Sequence, residues 1–199
     1  VEGMVVDNGS KLLYAAQEDI GIWRINSDLS NPVLIDKVRE FGVPWAFDPA
    51  EEECAIHYEQ DPGFAGQHLT ADAEGLTIYY GPELSGYLLA SSQGDSTFVV
   101  YEREGDNAYV GTYEVGATLG QRIDGAQHSD GAAVINVPLN STFQSGLLVV
   151  HDGENTPEMF DDGGETRENT NFKFVKWSDV ARAFTPPLLI DRTSWHPRR

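Results

Sequence analysis

The chain has 199 residues, and its 32 Asp and Glu against 13 Lys and Arg leave a formal net charge of −19. That balance excludes nucleic acid and anionic membrane surfaces as partners, because both are polyanions. One cysteine, Cys54, allows no internal disulfide, and five scattered histidines offer no zinc-ligand spacing.

In chain order, short apolar or alternating runs dominate, separated by Gly, Asp, Asn and Pro. They include "KLLYAAQ", "GIWRIN", "LTIYY", "GYLLASSQ", "TFVVYERE", "AYVGTYEV", "GAAVINV", "GLLVVHDG" and "NFKFVKW". Runs of this length at regular spacing predict an all-β protein. Only "SDVARAF", with Ser178 as N-cap, predicts a short helix. The stretch from Pro44 to Gly66 is acidic and broken by proline and glycine, and reads as a long irregular excursion between strands. No apolar run approaches the roughly 18–20 residues of a membrane-spanning helix, and no signal-peptide pattern opens the chain.

Three segments superimpose. Each opens with an acid and a glycine: Glu2-Gly3, Glu74-Gly75 and Asp130-Gly131. Each continues into a strand, a turn and a Leu-Leu strand that ends in a polar cluster: Gln17-Glu18-Asp19, Gln93-Gly94-Asp95 and Asp152-Gly153-Glu154-Asn155. Repetition of a several-stranded unit at this length is the signature of a β-propeller. The expected repeats are 1–70, 71–125 and 126–184, about three four-stranded blades in one partial propeller domain 1–199, with a tail at 185–199. Innermost strands line the channel of a propeller, so Glu2, Glu74 and Asp130 are expected to meet although distant in sequence. Asp72 and Glu74, two apart on extended chain, point to one side and repel each other unless a cation joins them. Propellers close with at least four blades, and the chain begins at Val1 directly on a strand. It is therefore expected to be the C-terminal part of a larger ring, or to complete the ring with another chain.

The stretches "EGMVVD", "KLLYAAQEDIGIW", "LTADAEGLTIYY", "GYLLASSQG", "DGAQHSDG", "VVHDGEN" and "NFKFVKWSDVA" resemble, in order and spacing, the C-terminal half of the β-propeller phytases, calcium-dependent alkaline enzymes of the Bacillus type. The resemblance covers roughly residues 1–184 and lapses over Pro44–Gly66 and the tail. It implies a six-bladed propeller whose calcium-lined cleft hydrolyses phytate, inositol hexakisphosphate, taken as its calcium salt. It further implies that Glu2, Asp72, Glu74, Gln93 and Asp124 are cleft residues holding calcium and a water-bridged phosphate. Glu18 and Asp130 match further cleft acids needed for activity. Asp152, Glu154 and Asn155 match a loop associated with a structural calcium. Gln17 and His128 stand where the family commonly has further acids. The lysines and arginine that grip phosphate belong to the family's N-terminal half, and Lys11, Lys37, Lys173 and Lys176 here are dispersed. Secretion or periplasmic export is implied by the same resemblance.

Oxygen ligands without Cys or His suit Ca2+ and not zinc or copper. Calcium also turns repulsion between an acidic cleft and a polyanionic substrate into bridging, and a metal-activated water could then attack phosphorus without a phosphoenzyme. Taken singly, Asp-Gly and Glu-Gly pairs are ordinary turn signals. The runs at Glu51–Glu53 and from Asp161 read as solvated loops. Trp23, Tyr79, Tyr80, Phe98, Tyr101 and Trp177 read as blade packing, and Lys173 as a surface or blade-edge residue. The alternative to an enzyme fragment is a non-catalytic calcium-binding partial propeller, a binding or scaffold module; a basic cluster upstream or on a partner separates the two.

Overall fold

The computed structural model describes residues 1–50, 52–118, 120, 123–164, 166–167 and 169–193. Glu51, Glu165, Glu168 and the end of the tail, 194–199, lie outside the described residues. The first sheet joins β1 (Met4–Asp7), β2 (Leu12–Gln17), β3 (Gly21–Asn26) and β4 (Val33–Lys37) in sequence order, every pair antiparallel. The excursion is not wholly irregular: β5 (Trp45–Asp48) and β6 (Glu53–Ile56) pair as a hairpin. Trp45 lies opposite Ile56 and Phe47 opposite Cys54, so one face is apolar, a period-2 pattern that the surrounding acids and prolines conceal. The second sheet runs β7 (Ala73–Tyr80), β8 (Gly86–Ser92), β9 (Thr97–Glu102) and β10 (Tyr109–Tyr113), again as antiparallel neighbours.

The third sheet is where the expectation of four strands fails. After β11 (Ala132–Ile135) and β12 (Leu147–Asp152), the chain spends its next residues on an acidic loop with a two-residue hairpin, β13 (Met159–Phe160) and β14 (Thr166–Arg167). β15 (Asn171–Lys176) then pairs with β12, giving three strands among the described residues. The next element is no strand but helix α1 (Trp177–Arg182). Its start is set by Trp177 and not by a Ser178 cap. The Trp177 side chain is fully buried, its Nε1 donates to the Leu189 carbonyl at 2.9 Å, and the N-cap position falls to Lys176.

The three sheets stack as propeller blades, with the middle one apolar on both faces. Leu88, Ala90, Val99 and Tyr101 join Tyr14, Ile22, Val38 and Ile78 in the core between the first two blades. Leu89, Phe98 and Val100 join Tyr113, Val134, Leu148 and Trp177 between the second and third. Alternate residues of β8 and β9 thus serve opposite cores, as the two-residue period of a strand requires. Met4 and Val6 on the first blade, and Phe172 and Phe174 on the third, instead face outward and are exposed. Of the residues read as blade packing, Tyr79, Phe98, Tyr101 and Trp177 are buried in these cores.

Innermost strand β7 packs between β1 and β11. Between Ala73 and Leu76 its register slips, so that Glu74 and Gly75 together face a single residue of β8. Such a bulge bends the strand and re-aims its side chains. Here it lets the Gly75 N–H donate to the Asp130 carbonyl at 2.9 Å, tying the second blade to the third at the channel. A β-carbon on Gly3 would stand 2.3 Å from the Glu74 carbonyl oxygen, so the first blade meets the second just as closely. At Gly3 and Gly75 the repeated acid is therefore followed by glycine because the backbones touch there.

Candidate functional site

The same close approach gathers the acids. Glu2, Glu18 and Glu74 each present a carboxylate oxygen, and the three oxygens lie within 4.8 Å of one another. Glu2 stands just before β1, Glu18 follows β2 in the same blade, and Glu74 sits on the bulge of β7. Among the described residues, no nitrogen donates to these carboxylates; they face each other. Glu74 is buried, and that burial first, then the charges of Glu2, Asp130, Glu18 and Asp72, pushes its carboxyl up to about 7. Glu18 is raised chiefly by a hydrogen bond shared with Glu2 and by that residue's charge. Asp72 is raised by burial and then by Asp19, Glu40 and Glu2.

Gln93 and Asp130 complete the group from the second and third blades. The Gln93 Nε2 donates to Asp130 Oδ1 at 2.6 Å, and the Gln93 N–H donates to the Asp72 carbonyl at 2.9 Å. Gln93 opens a short 3-10 turn, Gln93–Asp95, that crosses the segment before β7. A β-carbon on Gly94 would sit 1.7 Å from the Ala71 carbonyl oxygen, so this turn admits only glycine there. The Asp130 N–H donates to Nδ1 of His151 at 3.3 Å. Glu2, Glu18, Asp72, Glu74, Gln93 and Asp130 thus converge as one oxygen-rich cluster.

Asp124 does not join them. It meets Asp152 and Asn155 in a second cluster at the third blade, and the group at its centre is Lys173. The Lys173 Nζ contacts Asp124 Oδ1 in a close ion pair and lies 2.9 Å from both Asp152 Oδ2 and Asn155 Oδ1. Of the reading of Lys173 as a surface or blade-edge residue, the blade edge holds, since β15 is the outer strand of its sheet. The surface is corrected: its side chain is buried, on the β15 face that turns inward. Asp124 also accepts the Thr156 N–H at 2.5 Å and its Oγ1 at 2.8 Å, and these donors with Lys173 hold its carboxyl well below the usual range. Burial alone would lower the Lys173 pKa, but the hydrogen bonds to Asp124 and Asp152 outweigh it and raise the pKa. Glu154, exposed, turns instead to His128, with Nε2 to Oε1 at 3.3 Å.

Several neighbours of the first cluster escape a reading of the sequence. Glu40 accepts the Ala71 N–H at 2.9 Å and the Tyr58 hydroxyl at 2.5 Å, fixing the excursion beside Asp72. Asp19 lies in the repeated polar cluster Gln17-Glu18-Asp19, but nothing in that pattern singles it out as a neighbour of Asp72. Most of the described basic residues are engaged elsewhere: Arg24 with Gly105 and Asn107, Lys37 with the Phe64 carbonyl, Arg39 with Asp95, Arg103 with Asp7 and Arg182 with Asp179.

The two clusters differ in what they offer a cation. All-oxygen ligands that repel one another and lack hydrogen-bond donors fit calcium, so Glu2, Glu18, Asp72 and Glu74 fit it. The oxygens of Asp124 and Asn155 and the Oδ1 of Asp152 already accept nitrogen or hydroxyl donors, and Asp152 Oδ2 is ion-paired with Lys173. Among the described residues, no helix is long and apolar enough to cross a membrane.

Two comparisons bear on this arrangement. A family model described as Phytase matches residues 41–199. The sequence is 37% identical over 184 residues to the 3-phytase of Bacillus subtilis (strain 168), an alignment that spans 91% of this chain and 39% of that protein. The chain thus covers well under half the length of the relative it matches.

Proposed function

Because the chain belongs to the phytase family, we propose that its first acid cluster is one part of a calcium-dependent phosphomonoesterase site acting on phytate. The observation that carries this is the set of three carboxylates that bring an oxygen each within 4.8 Å of one another, with no nitrogen donor to them among the described residues. Like charges this close in a partly buried site keep a proton or take a cation. Glu2, Asp72 and Glu74 would hold calcium, with Glu18 and Asp130 at its edge. Calcium, when bound, supplies the positive charge that neutralises phosphate oxygens and lowers the pKa of an attacking water.

The chain's own residues then have separable tasks. The bulge at Glu74 and Gly75 sets the carboxylates of different blades at a fixed spacing. Gln93 orients Asp130 through the 2.6 Å hydrogen bond to Oδ1, while Oδ2 lies 3.4 Å from His151 Nδ1. Glu18, raised by Glu2, is placed to accept a proton from water once the cluster's charge is balanced.

The engaged state of the basic side chains favours a site shared with further polypeptide. No phosphate-gripping cluster is formed by the described Lys and Arg, so those groups would come from additional blades or a second chain. On its own the chain is then a calcium-binding partial propeller without turnover. A location outside the cytoplasm, secreted or periplasmic, fits a site that depends on calcium. The test is phosphate release from calcium phytate by the longest natural product of this reading frame. Glu74→Gln should lower kcat/KM by about 100-fold or more, the order found when electrostatic groups are removed from active sites. Wild-type turnover in that variant would refute the assignment.

A further inference from the structure

We propose that Lys173 is the resident cation of the second acidic cluster, so that the Asp124, Asp152 and Asn155 cage is closed by an ammonium group and takes no calcium. Every side-chain oxygen of the cage faces a donor or a positive charge, although Asp152 Oδ2 accepts no hydrogen bond and meets Lys173 only as an ion pair. Asp124 Oδ1 meets Lys173, and Oδ2 accepts Thr156 twice. Asp152 Oδ1 accepts the Gln127 N–H at 3.0 Å, and Oδ2 faces Lys173. Asn155 Oδ1 accepts both Lys173 and, at 3.1 Å, Asn171 Nδ2. A calcium ion needs six to eight oxygens, and entering here it would have to displace an ammonium with its hydrogen bonds.

Glu154 is an independent sign. It is the remaining acid of that loop, yet its carboxylate pairs with His128 and not with the cage. Two nitrogen-bearing side chains thus occupy the places that further acids or a metal would take. In the cage, one buried positive charge balances two carboxylates and pins three separate segments: the strand edge at β15, the end of β12 and the approach to Asp130. Lys173 is a positioning residue for the third blade, and through Gln127 and Asp152 it fixes the chain that delivers Asp130 to the first cluster.

Calcium alone is the probe, with calorimetric stoichiometry and thermal melting as the readouts. Asp124→Asn should leave the number of calcium ions bound per chain unchanged, because none resides at the cage. Lys173→Met should melt about 10 °C lower in EGTA, as loss of one partner from a buried ion cluster predicts. It should also gain one calcium equivalent that restores part of the melting temperature. Loss of one calcium in Asp124→Asn overturns the proposal, and so does wild-type melting of Lys173→Met in EGTA. If Lys173→Met does not fold, Asp124→Asn decides alone. Failure here leaves the first cluster untouched, since its test uses Glu2 and Glu74.

Discussion

A β-carbon added to Gly75 would stand 2.4 Å from the Gly131 Cα and 2.6 Å from the Asp130 carbonyl oxygen, whereas one added to Gly131 would find the Gly75 Cα at 3.9 Å. The two glycines of the repeat therefore differ in what they tolerate, although both follow a cluster acid. The bulge at Gly75 is the joint at which the second blade meets the third.

Gly75→Ala should destabilise the chain by about 1–3 kcal/mol, the usual range for overpacking against rigid backbone. Gly131→Ala should fall within about 0.5 kcal/mol of wild type, as substitutions without such a feature do. Chemical denaturation of the two variants checks this asymmetry. Equal losses would place the strain elsewhere.

The protonation of Glu74 gives a pH dependence with a definite sign. In calcium-free solution its carboxyl titrates near 7 in the folded chain and near 4.5 when unfolded. The folded state thus binds the proton more tightly. Its contribution is whole below about 4.5 and is lost as pH rises through about 7, at most about 3 kcal/mol. Glu74→Gln should remove that part of the slope between pH 5 and pH 8, measured by denaturation in EGTA. A slope identical to wild type would contradict it.

At the other end of β1, Arg103 grips Asp7 through two hydrogen bonds of 2.7 and 2.8 Å, with both side chains buried. The guanidinium also donates to the Ser85 and Glu83 carbonyls and lies 4.5 Å from the centre of the Tyr80 ring. Burial works against the Asp7 charge, but the bonds from Arg103 and Gly9 hold its pKa down. Arg103→Met should cost about 3–5 kcal/mol, because it strands a buried carboxylate. The pair Asp7→Leu with Arg103→Met should recover most of that loss. Calcium binding should not change in either, which urea melts and calorimetry together can verify.

How much of this the sequence carries depends on range. The acid and glycine pairs can be aligned because a repeated blade returns them at the same structural position, and that return brings Glu2, Glu74 and Asp130 together. Asp72 and Gln93 belong to the same repeats. Lys173 cannot be placed that way. Its partners are Asp124 and Asp152, far along the chain, and in "NFKFVKW" a lysine between phenylalanines looks like the polar residue of an edge strand. Only the pairing of β15 with β12 turns it inward. The grip of Arg103 on Asp7 spans two blades and leaves no local pattern. The β5–β6 hairpin is hidden for another reason: its alternation is four residues long and framed by proline and glutamate, whose preference for loops outweighs so short a signal.

The most direct measurement is a calorimetric titration of calcium into the 199-residue chain and into its Glu2→Gln, Glu74→Gln double variant. Uptake by the wild type with release of protons near pH 7, abolished or weakened at least about tenfold in the variant, is the predicted result. The same stoichiometry and affinity in both proteins would mean that these carboxylates do not hold the ion.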